Sequence, residues 1–171
     1  NNYNICVTGT NMDKLNEIED NYEGKVKCIS CNLNDTLQIE NLVQQSNEYY
    51  GSTDILINNA GITKDNLFLR MKDEEWNDVI NINLNSNFKL TKQILKGMVK
   101  NRWGRIINIS SDAAKIGNAG QANYVASKSA IEGLTRTLAN EVASSDVPVN
   151  WVSPGSVDTE IVKTIDGQTL L

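Results

Sequence analysis

Histidine is absent from the 171 residues. No imidazole can therefore act as general acid, general base or metal ligand. Cysteine is scarce, at three residues, and zinc wants about four ligands, so no metal site is expected. Cys28-Ile29-Ser30-Cys31 has the spacing of a redox motif. It sits, however, in a strand-like run from Lys25 to Leu33, where residues three apart point to opposite faces. Buried free thiols in a reducing compartment are the expectation. Basic residues are outnumbered, 16 against 21 acidic, for a net charge of -5, which argues against nucleic acid and anionic membrane as partners. No apolar run approaches the roughly 18 residues that span a bilayer, and no signal-peptide pattern is seen. Repeats, low-complexity tracts and domain linkers are absent as well. The remainder, 40% hydrophobic and 22% charged residues, is ordinary for one soluble domain with a core. Asn is abundant, which we read as coding bias rather than chemistry.

Apolar strands alternate with amphipathic helices along the chain. Strands are expected at Asn4 to Thr8, Val26 to Ile29, Asp54 to Asn58, Arg105 to Ile109 and Val149 to Val152. Helices are expected at Met12 to Tyr22, after Asp35 (with Gln38 three residues on, as in a capping box), from Asp73 towards Val99, and from Gln121 to Ala143. Such alternation predicts a doubly wound α/β fold of Rossmann type with a parallel sheet covered on both faces, spanning residues 1–171 as one domain. Ligands of these sheets bind beyond the carboxyl ends of the strands. Thr8-Gly9, Asn58-Asn59-Ala60-Gly61, Ser110-Ser111 and Pro154-Gly155 all fall there.

Two residues four apart, Tyr124 and Lys128, share one face of the last long helix. An ammonium beside a phenol favours the phenolate and pulls the Tyr pKa down from about 10. That would give a proton donor for a ketone oxygen without histidine. A Tyr and Lys so spaced are usually a solvated helix face, so the surrounding motifs carry the weight.

Asn58-Asn59-Ala60-Gly61, Ser111, Tyr124 and Lys128 stand in the order and spacing of the short-chain dehydrogenase/reductases, which the chain resembles from Cys31 to Thr159. Ala60 to Leu67, Arg70 to Trp76, Gly117-Asn118 and Gly120 to Tyr124 most resemble the 3-oxoacyl-[acyl-carrier-protein] reductases of that family. The resemblance implies that Tyr124 protonates the substrate carbonyl and that Lys128 lowers its pKa and holds the nicotinamide ribose. Ser111 would hydrogen-bond the carbonyl, its thirteen-residue spacing to Tyr124 favouring it over Ser110. Asn83 would position a water linking Lys128 to solvent, although without the resemblance it would be a helix-interior Asn bonding backbone. Cofactor contacts implied are Gly9 at the phosphate-cradling turn, Asn32 and Leu33 at the adenine, Asn58, Ala60 and Gly61 at the adenosine ribose side, and Pro154, Gly155, Val157 and Thr159 at the carboxamide. NADPH is favoured over NADH because no acid stands at Thr10-Asn11, though NAD remains open. Implied too are an acyl-carrier-protein thioester substrate, a role in fatty-acid biosynthesis, and a homotetramer packed through the Asp73 to Val99 and Gln121 to Ala143 helices. The location would be cytoplasm, or the stroma of a plastid or other organelle.

The chain also departs from the family. Val7-Thr8-Gly9 runs straight into Thr10 to Leu15, which resembles the segment after the family's second strand, so a Gly-rich loop and a βα unit are missing. Lid helices are missing around Lys163-Ile165, between a lid start at Glu160 to Thr164 and a final strand at Ile165 to Leu170. Either the natural polypeptide carries further residues at these points or it is truly shortened. Losing a central strand would open the sheet, which favours the first. Trp151 and Ser153 replace small or apolar residues, and Asp112 follows Ser111 where an apolar residue is common. Arg102 matches one basic position used to receive the carrier protein; the other is Asn140. Other small ketones such as acetoacetyl-CoA, or a non-catalytic assembly subunit if the gaps are true deletions, are the competing readings.

Overall fold

A computed structural model describes residues 3–22 and 24–155. The sequence expectations at Val157, Thr159, the lid and the final strand lie outside them. Five strands are described: β1 (Ile5–Gly9), β2 (Val26–Ser30), β3 (Ile55–Asn58), β4 (Arg105–Ile109) and β5 (Val149–Val152). Six α-helices accompany them: α1 (Met12–Asn21), α2 (Thr36–Tyr50), α3 (Asp73–Ile80), α4 (Ser86–Asn101), α5 (Ala113–Ile116) and α6 (Ala122–Glu141). Every described strand pairing is parallel, with Ile5 opposite Val26, Ile55 opposite Arg105 and Ile106 opposite Val149. The α/β class is as the alternation predicts.

The strands form two sheets, β1-β2 and β3-β4-β5. A doubly wound sheet orders its strands 3-2-1-4-5-6. The two groups match places 3-2 and 4-5-6 of that order, and no described strand fills the place between β1 and β3. β1 passes through Thr10 and Asn11 directly into α1, whose first turn is capped by Asn11: its side-chain oxygen accepts from the Lys14 N–H at 3.0 Å.

Two apolar cores accompany the two sheets. Leu56, Ile94, Met98, Ile106, Val142, Val147 and Val149 pack around the larger sheet, and Ile29, Cys31, Ile39 and Leu42 under the smaller. Leu90 on α4 touches both, so the α2–α4 layer is what joins them. Helix α2 starts where the sequence indicates, because Asp35 Oδ1 accepts from the N–H groups of Leu37 (2.9 Å) and Gln38 (3.4 Å). Gln38 meets the Asp35 carboxylate rather than its N–H: its Nε2 donates to Asp35 Oδ2 at 3.1 Å, and its oxygen accepts from the Asn32 N–H at 2.8 Å.

The long helix expected from Asp73 towards Val99 is interrupted. Between α3 and α4, residues Asn81–Asn85 form a π-helical turn. Such wide turns recur at functional sites because one extra residue re-aims the side chains around it. Here it turns Asn83 inward, leaving it 1% exposed. Strands β4 and β5 match the predicted spans. No helix among the described residues is long and apolar enough to cross a membrane.

Candidate active site

Ser111, Tyr124, Lys128 and Asn83 gather at the carboxyl end of the three-stranded sheet. Ser111 comes just after β4, and its Oγ accepts from the Ala113 N–H at 3.2 Å as α5 begins. The competing Ser110 is buried, its hydroxyl bonded to Glu132 Oε1 (3.0 Å) and the Lys128 carbonyl (3.3 Å). Ser111 is half-buried and lies within hydrogen-bond reach of Tyr124, so it is the serine that faces the site.

Helix α6 carries Tyr124 and Lys128 on one face, as i, i+4 spacing requires. The Lys128 Nζ lies 5.6 Å from the Tyr124 ring centroid and donates to the Ile109 carbonyl at 2.7 Å. Burial pushes the Lys128 pKa down from 10.5 to about 8. The Tyr124 pKa departs from the sequence expectation. It is raised, first because the phenol is desolvated and then because the charges of Asp112 and Asp65 disfavour phenolate, while hydrogen bonding from Ser111 pulls it down. Desolvation of the phenol outweighs the hydrogen bond from Ser111.

Asn83 is a clamp. Its Oδ1 accepts from the Ile62 N–H (2.8 Å), and its Nδ2 donates to the Ile62 carbonyl (3.0 Å) and to Ser127 Oγ (3.1 Å). Both amide protons and one oxygen lone pair of the side chain are thereby used. The clamp ties the loop after β3 to α6. A Cβ added at Gly61 would stand 3.3 Å from Asn83 Oδ1 and 3.5 Å from Lys128 Nζ, so a small residue is needed where backbone approaches the site.

The remaining expected residues divide. Ala60, Gly61, Pro154 and Gly155 border the same edge, in the turns after β3 and β5. Asn58 belongs to the sheet's interior, its Nδ2 donating to Asn108 Oδ1 (2.8 Å), Thr91 Oγ1 (3.0 Å) and Asn87 Oδ1 (3.4 Å). Asn32 and Leu33 lie after β2 on the smaller sheet. Gly9 ends β1 on that sheet too, and its carbonyl accepts from the Cys31 N–H at 2.9 Å. The structure does not bring Gly9 to the cluster.

Coding bias does not account for the asparagines at the core of this site, contrary to the sequence expectation. Asn108 donates on to Thr135 at 2.8 Å, extending the ladder from Asn58 across β4 to α6. Asn123, fully buried, donates to the Lys64 carbonyl (2.9 Å) and the Glu75 carbonyl (3.1 Å) and accepts from the Tyr124 N–H at 2.7 Å. It pins the start of α6 to the loop and to α3. The signal in the sequence is an Asn breaking the apolar run of β4 and another beside Tyr124. Trp151 finds Arg136 over its ring at 5.7 Å, and Ser153 donates to Glu132 Oε1 at 3.0 Å. All three cysteines are free thiols with pKa raised by burial.

A parallel α/β scaffold presents serine, tyrosine and lysine together at a strand end. The profile of the short chain dehydrogenase family matches residues 1–169, and the chain belongs to that family. Among curated relatives it is 48% identical over 140 residues to the 3-oxoacyl-[acyl-carrier-protein] reductase FabG of Vibrio harveyi, covering 82% of this chain and 57% of that protein. It is 44% identical over 161 residues to the FabG of Salmonella typhimurium, covering 94% of this chain and 66% of the relative. The FabG of Pseudomonas aeruginosa is 54% identical over 118 residues, 69% of this chain and 48% of its own length. The chain thus spans less than two thirds of the length of these relatives.

Proposed function

We propose that the protein reduces 3-oxoacyl thioesters carried on acyl-carrier protein to 3-hydroxyacyl thioesters with NADPH, in fatty-acid biosynthesis. The observation that carries the reading is the convergence of Ser111, Tyr124 and Lys128, with the family spacing intact. The relatives share that named activity. Tyr124 gives its hydroxyl proton to the carbonyl oxygen, Ser111 donates a hydrogen bond to the same oxygen, and the Lys128 ammonium, present below about pH 8, returns a proton to the tyrosinate. The hydride that the carbonyl carbon receives would come from a reduced nicotinamide when bound.

The residues fit the nicotinamide-ribose half of such a cofactor. Gly61 leaves room beside Asn83 and Lys128, and Lys128 has donors to offer beyond its bond to Ile109. They do not fit the pyrophosphate half. The α1 terminus that opens after Gly9 belongs to the smaller sheet and is capped by its own Asn11, so no helix N-terminus is free there for phosphate. That misfit is the observation favouring the alternative of a non-catalytic assembly subunit. NADPH over NADH is supported by Thr10 and Asn11, neither of which carries a carboxylate at the exit of β1. A homotetramer in the cytoplasm, or in an organelle's stroma, completes the reading.

Incubation with NADPH and an acetoacetyl thioester, on carrier protein or on coenzyme A, should bleach nicotinamide absorbance. Tyr124→Phe should lose this while eluting at the same size. Absence of turnover on both thioesters would refute the reductase reading.

A further inference from the structure

Asp112 stands where α5 begins, yet its side chain does not cap that helix. An aspartate at a helix start normally turns its carboxylate onto the N–H groups of the first turn. Here Asp112 itself has helical backbone angles, φ -59 and ψ -31, and the Ala113 N–H is taken by Ser111 Oγ instead, at 3.2 Å. The carboxylate bends back one residue, and the Ser111 hydroxyl donates to Asp112 Oδ1 at 3.2 Å. Its other oxygen lies 3.6 Å from where a Gly155 Cβ would be, and the Asp112 N–H donates to the Pro154 carbonyl at 3.0 Å. The acid is held between the turns after β4 and β5, at the mouth of the candidate site.

A serine hydroxyl has one proton to donate. In this arrangement Asp112 Oδ1 accepts it at 3.2 Å, with the Tyr124 oxygen as the other neighbour that the hydroxyl can reach. We propose that Asp112 is a positioning residue that competes with the substrate carbonyl for the Ser111 hydroxyl and so restrains the oxyanion-stabilising step. The proposal rests on the reductase reading of the site. A hydrogen bond to a carboxylate is about twice as strong as one to a neutral acceptor. Substrate therefore has to draw Ser111 away from a charged partner before Tyr124 can deliver its proton to an oxygen that is already hydrogen-bonded.

The charge reaches Tyr124 as well. Facing the phenol are Asp65 from the loop after β3, Asp112 from the turn after β4, and Lys128 on its own helix. Asp65 is held by the Gln121 amide, Nε2 to Oδ2 at 2.8 Å. Both acids oppose phenolate formation, so neutralising Asp112 favours ionisation of Tyr124 at lower pH.

Asp112→Asn keeps the size and removes the charge at an exposed position, so the fold is preserved. Its kcat for acetoacetyl thioester reduction should rise about three- to tenfold with KM nearly unchanged, and the alkaline limb of kcat/KM should move to lower pH. In a Ser111→Ala background the same substitution should leave kcat unchanged, because the competition needs the hydroxyl. An unchanged kcat in Asp112→Asn, or an equal gain without Ser111, would overturn the proposal. A readout free of turnover comes from tyrosinate absorbance, with Tyr124→Phe subtracted to isolate the one phenol. Its titration should move to lower pH in Asp112→Asn, and a fixed titration would overturn the electrostatic part. A protein with no turnover whose titration still moves would overturn the reductase reading while sustaining the hold of Asp112 on the Ser111–Tyr124 pair.

Discussion

Replacing Lys128 by methionine should make the protein more stable near neutral pH while removing its activity. The amine is 3% exposed, and burial lowers its pKa from 10.5 to about 8. At about 1.4 kcal/mol per pH unit, keeping that charge buried costs about 3 kcal/mol below pH 8. Methionine fills similar volume without charge, but it orphans the Ile109 carbonyl that Nζ now reaches at 2.7 Å, a loss of about 1–2 kcal/mol. The net gain at pH 7 is about 1–2 kcal/mol. The sign of the shift sets the pH dependence. Because the folded pKa is depressed, the unfolded chain binds the extra proton between 8 and 10.5, so wild-type stability rises with pH across that window. The methionine variant has no such slope there, and by pH 10 its advantage should have reversed. Urea unfolding of both proteins at pH 7 and pH 10 reads this directly. A variant less stable than wild type by the same amount at both pH values would refute the reasoning. It would show that Lys128 is a net stabiliser rather than a strained functional group.

Asn83→Ala should cost about 2–4 kcal/mol, since it strips both partners from the Ile62 backbone and one from Ser127; equilibrium unfolding should show it, and amide exchange should quicken in the loop after β3. Gly104→Ala should destabilise by about 1–3 kcal/mol, because the new Cβ would fall 2.6 Å from Met98 Cγ and 2.7 Å from Met98 Cβ in the buried core; an unchanged thermal midpoint would show that α4 shifts freely, contrary to the packing seen.

The sheet and helix positions were legible because their apolar periods are clean. Arg105–Ile109 and Val149–Val152 are short apolar runs with nowhere to go but between layers. The proximity of tyrosine to lysine follows from their i, i+4 spacing, whereas the serine was singled out only by the resemblance to the family. Anything set by the partner rather than by the residue could not be read. The π-helical turn depends on Asn83 finding Ile62 and Ser127 across the fold, and local periodicity carries no trace of that. The direction of the Tyr124 pKa depends on how deeply the phenol itself is buried, which spacing alone does not give. The sheet to which Gly9 belongs could not be read for a related reason. Val-Thr-Gly suits two neighbouring strands of the family order, and only the pairing of Ile5 with Val26 decides between them.

The interruption between β1 and β3 has a practical consequence for work in solution. Each strand presents a row of backbone donors and acceptors with no described partner, and Ile5, Ile55 and Ile57 beside those rows are 47%, 39% and 58% exposed. Uncovered edges of this kind recruit further chains by strand addition. Residues 1–171 in isolation should therefore self-associate progressively as concentration rises, forming species of no fixed stoichiometry. An assembly built on helix faces would instead keep one size on dilution, and a dilution series separates the two.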